Sequence, residues 1–284
     1  MRDQATLLRE LMRRRRRARP PQRSGPPALV VGSGKGGVGK SVVAIVLAKA
    51  LADLGRRVLL FEGDQNLATL HLVLGVRPTG RLASLIDGDE GSPTDLLTPV
   101  GERLWLLPGD SGAEALYALG PVERARLHHR LSALYDGFDA IVIDAAAGLE
   151  SVVRVATMRA TRLLVVTVPE PVALTDAYAL IKIVSWQVPE LGIDVLVNRT
   201  KNDAEGTTTF DRLRTAAERF LRRPLHYLGA VPEDDAVGAA MRGQPPLLLG
   251  AEAGPAVRAL RSIAAHQLDL RPAGNDEPPP SVPE

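Results

Sequence analysis

The chain has 284 residues, of which 45% are hydrophobic, 24% are charged and none is cysteine. This length and apolar fraction suit one sizeable globular domain, and the missing thiols exclude disulfide scaffolds, cysteine-ligated zinc and iron–sulfur clusters held by the chain itself. The formal net charge is +2. Because no apolar run approaches the roughly 20 residues of a membrane-spanning helix, we expect a cytoplasmic protein.

Residues 1–27 are predicted to form a flexible basic arm. Residues 1–24 contain nine arginines, five of them consecutive at 13–17, against two acidic residues, whereas the rest of the chain is net acidic. Asp3 to Met12 can form a short amphipathic helix, too short to be stable alone, before a proline-rich linker. A basic arm on an acidic body indicates an acidic partner, which could be a nucleic acid, an anionic lipid or a protein. The alternative is a solvated leader that binds no partner.

Residues 28–270 alternate predicted strands with predicted helices. Short β-branched runs without polar alternation indicate buried strands of a mostly parallel sheet, covered by helices on both faces. Residues 271–284, rich in proline and acidic side chains, are predicted to be a disordered tail. The predicted strands are Leu29–Gly32, Val58–Glu62, Leu104–Leu107, Ala140–Asp144, Leu163–Val168, Ile193–Val197 and Leu225–Leu228; the predicted helices are Ser41–Leu54, Pro121–Tyr135, Ser151–Ala160, Ala173–Gln187, Phe210–Leu221, Ala236–Arg242 and Pro255–Leu268.

A glycine-rich segment between the first strand and the first helix carries the strongest motif. Gly34, Gly39, Lys40 and Ser41 fit G-x-x-x-x-G-K-[ST], the phosphate-binding loop, and predict an α/β three-layer P-loop NTPase fold. Its glycines let backbone N–H groups wrap phosphate oxygens, beside the positive end of the new helix. Lys40 would neutralise the β- and γ-phosphates, and Ser41 would ligate Mg²⁺. The predicted nucleotide contacts here are Gly34, Lys35, Gly36, Gly37, Val38, Gly39, Lys40, Ser41 and Val42.

Acidic residues that follow two predicted strands are the candidates for metal binding. Ligand sites of parallel sheets lie at the carboxyl ends of strands, so Glu62, Asp64 and Asp144 count for more than acids elsewhere. Asp144 stands where an aspartate would hold Mg²⁺ directly or through water. The predicted metal ligands are therefore Ser41, Asp64 and Asp144.

Lys35 follows the first glycine of the loop, where ordinary phosphate loops lack a lysine. With it the segment resembles the deviant Walker A ATPases, the group containing MinD and ParA, whose pattern is K-G-G-x-G-K-[ST]. The resemblance implies an ATP-dependent homodimer in which Lys35 reaches the nucleotide of the other subunit; a phosphate contact within its own subunit is the alternative. It also makes the run from Asp144 to Gly148 a D-x-x-A-G switch, whose Gly148 amide senses the γ-phosphate. The catalytic set becomes Lys35, Lys40, Asp64 and Asp144.

The segment 60–75 resembles the first switch of the same family, written D-x-D followed by L-x-N-L-D. Asp64 matches the aspartate that positions the attacking water. The resemblance to the family implies ATP hydrolysis that is slow and stimulated by a partner. Glu62 replaces the first aspartate, Thr69 the asparagine and His71 the second aspartate. The longer Glu62 side chain would alter the Mg²⁺ geometry, and His71 is expected to be a solvated loop residue.

Three further segments resemble the FlhG/FleN/YlxH branch of the family, the MinD-like regulators of flagellar number and placement. Val168–Lys182 is similar to P-E-P-x-x-[IL]-T-D-A-Y-A-L-I-K, and Pro108–Leu116 is similar to P-G-x-S-G. Asp3–Arg9 fits D-Q-A-x-x-L-R, the element through which the group engages FlhF, a signal-recognition-type GTPase. The resemblance implies a protein at the cell pole or inner membrane that binds an FlhF-type GTPase and other flagellar regulators or basal-body proteins. The residues implied in partner binding are Asp3, Gln4, Ala5, Leu8 and Arg9.

Two segments near the end of the body match the family's adenine-binding rim. Asn198 follows a predicted strand and fits the asparagine that hydrogen-bonds adenine, although asparagine at such a position is commonly a turn former. Pro232, within Val231–Asp234, fits the loop that closes over the base. Glu170 and Asp176 either face the dimer partner or cap a helix.

The same motifs leave two other functions open. A ParA-type partitioning ATPase would use the arginine arm on DNA, but the acidic body makes nucleic acid the weaker partner. A MinD-type division-site regulator would end in a basic amphipathic membrane helix, whereas Pro255–Leu268 resembles the closing helix of the fold and is followed by an acidic tail. Membrane binding by the C-terminus therefore stays open.

Overall fold

The computed structural model describes residues 25–63, 69–78, 80, 92–109, 129–148, 152, 160–241, 254–268 and 270. Within these ranges the strands are β1 (Ala28–Gly32), β2 (Val58–Gly63), β3 (Thr98–Gly101), β4 (Leu104–Leu107), β5 (Ala140–Ala145), β6 (Arg162–Thr167), β7 (Gly192–Thr200) and β8 (His226–Pro232). They form one sheet of eight strands with the order β3-β4-β2-β5-β1-β6-β7-β8. All neighbouring strands are parallel except β3 and β4, which are antiparallel.

Helices cover both faces of the sheet and build two apolar cores. The helices are α1 (Lys40–Asp53), α2 (Leu70–Leu74), α3 (Pro171–Gln187), α4 (Asp203–Leu221), α5 (Asp235–Met241) and α6 (Pro255–His266), with a 3₁₀ turn at Pro93–Leu96. One core lies between one face of the sheet and the helices α1 and α6, and the other lies between the opposite face, α3, α4 and the helical residues 129–135. The central strands are buried on both faces because residues alternate between the two cores along each strand.

The predicted α/β architecture is confirmed; besides shifted ends of other elements, such as β7 and β8, three local differences stand out. The strand β3 was not predicted, because it is four residues long, contains Pro99 and lies at the sheet edge. Helix α4 begins seven residues before the predicted start, where the Asn202 side chain accepts a hydrogen bond of 2.9 Å from the Glu205 amide. The short helix α2 was also not predicted.

Several predictions concern residues outside the described ranges. These are the arm up to residue 24 with its partner-binding residues, Asp64, the tail at 271–284, and much of the predicted helices 121–135 and 151–160.

Helix α6 belongs to the core. Its apolar residues Val257, Leu260 and Ile263 are buried against α1 and β8. The expectation that Pro255–Leu268 closes the fold is therefore confirmed, except that the helix ends at His266. Among the described residues, none of the helices has the length and apolar character that crossing a membrane requires.

Candidate nucleotide-binding site

The phosphate-loop sequence joins β1, the central strand, to α1 at the carboxyl edge of the sheet. Gly37 and Gly39 have φ angles of +79° and +90°, which glycine adopts at little cost. Gly34 lies so close to α3 that an added Cβ would be 2.3 Å from the backbone oxygen of Asp176. The loop is thus a glycine-rich backbone turn at a helix start, packed closely against α3 at Gly34 and exposed at Gly36 and Gly37, the geometry that binds phosphate through N–H groups.

Asn198 supports this loop from β7, which lies two strands away from β1 in the sheet. Its Nδ2 donates a hydrogen bond of 2.8 Å to the backbone oxygen of Val38, and the residue is buried. A Cβ on Gly39 would lie 2.3 Å from the same nitrogen. The structure therefore brings Asn198 to the nucleotide-binding loop, while its contact with adenine stays a prediction.

Lys40 and Asp144 form a mostly buried ion pair at the centre of the site. Asp144 is the penultimate residue of the strand β5 beside β1, where it pairs in register with Val31. The Lys40 Nζ is 3.2 Å from Asp144 Oδ1, and the two side chains are 11% and 4% exposed. The site thus combines a phosphate-binding lysine with oxygen groups on Ser41 and Asp144, the kind of donor that Mg²⁺ prefers. These residues fit a magnesium nucleotide.

Gly148 returns the chain from Asp144 to the phosphate loop. Its φ of +106° requires glycine, and its amide is 3.3 Å from the backbone oxygen of Ser33. The amide implied in γ-phosphate sensing therefore contacts the loop itself in this structure.

Lys35 is held by an acidic residue of its own chain. Its Nζ is 2.9 Å from Glu170 Oε2, and the two side chains are 40% and 57% exposed. The hydrogen bond and the positive charge of Lys35 lower the pKa of Glu170. Glu170 precedes α3, yet its side chain makes no helix cap. Sequence analysis left Glu170 between a partner contact and a cap; the structure shows an ion pair in place of the cap, and the partner contact stays a prediction.

Glu62 has a role that sequence analysis did not predict. Its side chain is buried at the carboxyl end of β2 and accepts backbone hydrogen bonds from Thr69, Leu70 and Gly109. Burial raises the pKa of Glu62, while the hydrogen bonds from the three backbone N–H groups act to lower it.

The expectation that His71 is a solvated loop residue is wrong, since His71 lies in α2 and its Nδ1 is buried without a hydrogen-bond partner among the described residues.

The predicted rim of the base site lies after β8. Pro232 ends that strand, and Asp234 accepts hydrogen bonds of 3.0 Å from the amides of Ala236 in α5 and Ala256 at the start of α6. One carboxylate therefore joins both helices to the segment that would close over a base. The contact of Pro232 with adenine stays a prediction.

The central strand, its glycine-rich turn, Lys40 and Asp144 together define a P-loop NTPase. Residues 29–247 match the family model described as the CobQ/CobB/MinD/ParA nucleotide binding domain. The chain is 39% identical over 217 residues to the antiactivator FleN of Pseudomonas aeruginosa, with 76% of this chain and 77% of FleN covered. It is 33% identical over 204 residues to the flagellum site-determining protein YlxH of Helicobacter pylori, with 72% and 68% covered.

A solved structure with the same fold contains a bound nucleotide. The septum site-determining protein MinD complexed with Mg-ADP from Pyrococcus horikoshii matches with a TM-score of 0.67 at 26% identity, over 84% of this chain and 94% of that one. The chain therefore belongs to the CobQ/CobB/MinD/ParA nucleotide-binding family, in its FlhG/FleN/YlxH branch, and is a MinD-like ATPase.

Proposed function

We propose that this ATPase is an ATP-dependent dimerising switch that regulates the number or placement of flagella. The observation that carries the proposal is the similarity, over about three quarters of the chain, to the antiactivator FleN and to YlxH, which is named as a flagellum site-determining protein. The mostly buried Lys40–Asp144 pair and the glycine-rich loop with positive φ angles at Gly37 and Gly39 support nucleotide binding as the input of the switch.

The phosphate-binding residues would act mainly by charge and position. Lys40 and the loop amides would bind the β- and γ-phosphates, and Asp64 would orient the attacking water. Ser41, Asp144 and Asp64 would hold Mg²⁺, which neutralises charge on the phosphate oxygens. Asn198 and Pro232 would contact the adenine. In phosphoryl transfer the protein forms few covalent bonds itself, so the placement of these side chains around the phosphates would determine the rate.

Lys35 would report the nucleotide state through the dimer. In the structure it pairs with Glu170 across 135 residues of sequence, and both side chains are partly exposed to solvent. An exposed ion pair is worth about 1 kcal/mol or less, so a phosphate group in a second subunit can replace Glu170 as its partner. ATP in each subunit would then join the two subunits through Lys35, and hydrolysis would release them.

The arm would deliver the signal to a GTPase of the FlhF type. The proposed contacts are Asp3, Gln4, Ala5, Leu8 and Arg9, within a segment that can fold as an amphipathic helix in a groove. Further partners would be flagellar regulators or basal-body proteins, at the cell pole or inner membrane.

Counting flagella tests this function. In a deletion strain of the source organism, the wild-type gene should restore the normal flagellar number, whereas Lys40→Ala should fail, because it weakens ATP binding.

A chain without residues 1–20 should bind ATP normally, because the deletion removes no part of the described domain. It should fail to stimulate GTP hydrolysis by the FlhF-type partner, because the proposed contacts of the arm are lost.

Two results would contradict the proposal. A flagellar number that is the same with and without the gene would reject flagellar control. Undiminished GTPase stimulation by the shortened chain would remove the arm from partner recognition.

A further inference from the structure

Arg199 has an unusual backbone conformation beside the candidate site. Within the described ranges two residues other than glycine have a positive φ angle, Arg199 at +55° and Arg222 at +51°. Arg222 follows the last residue of α4, where left-handed residues commonly end a helix. Arg199 lies instead within the strand β7, where a residue with a side chain adopts this conformation only at a cost in free energy.

The conformation belongs to a bulge that contacts of the site hold in place. Asn198 of β7 is in register with Val231 of β8. The next pair along the two strands joins Thr200 to Pro232, so Arg199 is one extra residue on β7. The Asn198 side chain is bonded to the phosphate loop, and the Thr200 hydroxyl donates a hydrogen bond of 3.3 Å to the backbone oxygen of Val231. Both flanking residues are buried, whereas Arg199 is exposed, so the bulge presents a cation at the surface next to that loop.

The charge of Arg199 acts on Glu170, the residue that holds Lys35. The Lys35 Nζ lies 2.9 Å from the Glu170 carboxylate. This hydrogen bond and the charge of Lys35 lower the pKa of Glu170 most, and the charge of Arg199 acts in the same direction, while desolvation opposes them. Two cations therefore lie around one carboxylate, and Lys35 is the one in direct contact with it.

Release of Lys35 would leave Glu170 in an unfavourable place. In the proposed dimer Lys35 exchanges Glu170 for a phosphate group of the second subunit. The carboxylate would then have no cation in contact at a surface that receives a negatively charged nucleotide, and like charges brought together across an interface repel. The guanidinium of Arg199 is always charged and binds carboxylates through two parallel hydrogen bonds, so it can compensate Glu170.

We propose that Arg199 is a positioning residue of the dimer interface, which takes over the Glu170 carboxylate when Lys35 turns to the nucleotide of the second subunit. The inference rests on the proposed ATP-dependent dimer. It assigns Arg199 to the association of subunits and leaves nucleotide binding within one chain to the phosphate loop. It also gives a physical reason for a left-handed arginine within β7.

The test measures the dissociation constant of the dimer by analytical ultracentrifugation, with Mg²⁺ and a non-hydrolysable ATP analogue. Arg199→Asn removes the charge and supplies a residue that tolerates the left-handed conformation. An exposed charge pair changes an affinity by up to about fivefold, and a symmetric dimer contains the pair twice, so the constant should rise about 5- to 25-fold. Arg199→Lys keeps the charge and should stay within about twofold of the wild type. The affinity for Mg-ADP, measured by calorimetry, should be unchanged in both variants.

Two further variants separate this role from a direct contact and from a backbone effect. A Glu170→Gln chain has no carboxylate to take over, so adding Arg199→Asn to it should no longer weaken the dimer. Arg222→Asn is the matched control, because it replaces the other arginine with a positive φ angle, at the end of α4. It should leave the dissociation constant of the dimer unchanged.

Three outcomes overturn the inference. They are a wild-type dissociation constant in Arg199→Asn, an equal loss in Arg199→Lys, and an equal loss in the Glu170→Gln chain, which would mean that Arg199 contacts the second subunit directly. The wild-type chain keeps the two proposals apart. If it does not dimerise with the analogue, the proposed dimer fails and the inference falls with it, whereas a wild-type dimer that Arg199→Asn leaves intact rejects the inference alone.

Discussion

Replacing Lys40 with alanine is expected to weaken ATP binding about 10- to 100-fold. The substitution removes a charge-assisted contact to the phosphates, worth about 1.5 to 3 kcal/mol. It also removes the positive charge 3.2 Å from Asp144 in a site where that carboxylate is 4% exposed, so the site becomes more negative towards ATP. Isothermal titration calorimetry with Mg-ATP measures the effect.

Lys49→Ala is the control for this prediction. Lys49 lies on the same helix α1 and pairs with Asp53 at the surface, so its loss should leave ATP affinity unchanged. Ser41→Ala should lower the affinity in magnesium and have less effect without it, because only the proposed metal ligand is lost. Normal ATP binding by Lys40→Ala would show that the loop does not hold the phosphates.

The second large effect is expected on the stability of the fold, from a cluster at the strand starts, the edge of the sheet opposite the phosphate loop. Asp194, the third residue of β7, is 1% exposed and contacts Arg162 and His226, the first residues of the two neighbouring strands β6 and β8. It accepts two hydrogen bonds from the Arg162 guanidinium, one of them 2.7 Å from Nε, and its Oδ1 is 3.0 Å from Nδ1 of His226. Asp194→Ala should lower the free energy of unfolding by about 3 to 5 kcal/mol, because it leaves a largely buried guanidinium without its carboxylate.

Urea unfolding measures this loss, and a surface pair provides the comparison. Asp211 and Arg214 are 2.9 Å apart, with side chains about half exposed, so Asp211→Ala should change the free energy of unfolding by at most about 1 kcal/mol. ATP affinity should be the same in both folded variants, since Asp194 lies at the strand starts, away from the phosphate loop. A loss below about 1 kcal/mol in Asp194→Ala would mean that this cluster adds little to stability.

Local sequence signals predicted most of the sheet and the phosphate loop. Buried parallel strands such as β1 and β5 are continuous apolar runs, and the loop motif needs only residues next to one another. The antiparallel strand β3 was missed because Pro99 and its edge position give no such signal. The start of α4 was missed because its first turns are polar and depend on the Asn202 cap.

The side-chain partners within the site were not predictable from local patterns. Lys35 and Glu170 are 135 residues apart, and Lys40 and Asp144 are 104 apart, so only the strand order brings them together. Glu62 was interpreted from the family motif as a residue near the metal. Its contacts with three backbone amides depend on where α2 and residue 109 pack, which a sequence motif does not record.

The central claim, that ATP joins two subunits through Lys35, is tested most directly by the mass of the protein in solution. Light scattering should give the mass of one chain with Mg-ADP and of two chains with Mg-ATP, most clearly in Asp64→Ala, where hydrolysis is expected to be slow. Adding Lys35→Ala to this variant should keep ATP binding and return the mass to one chain. Equal masses in ADP and ATP, or a dimer that persists without Lys35, would contradict the account.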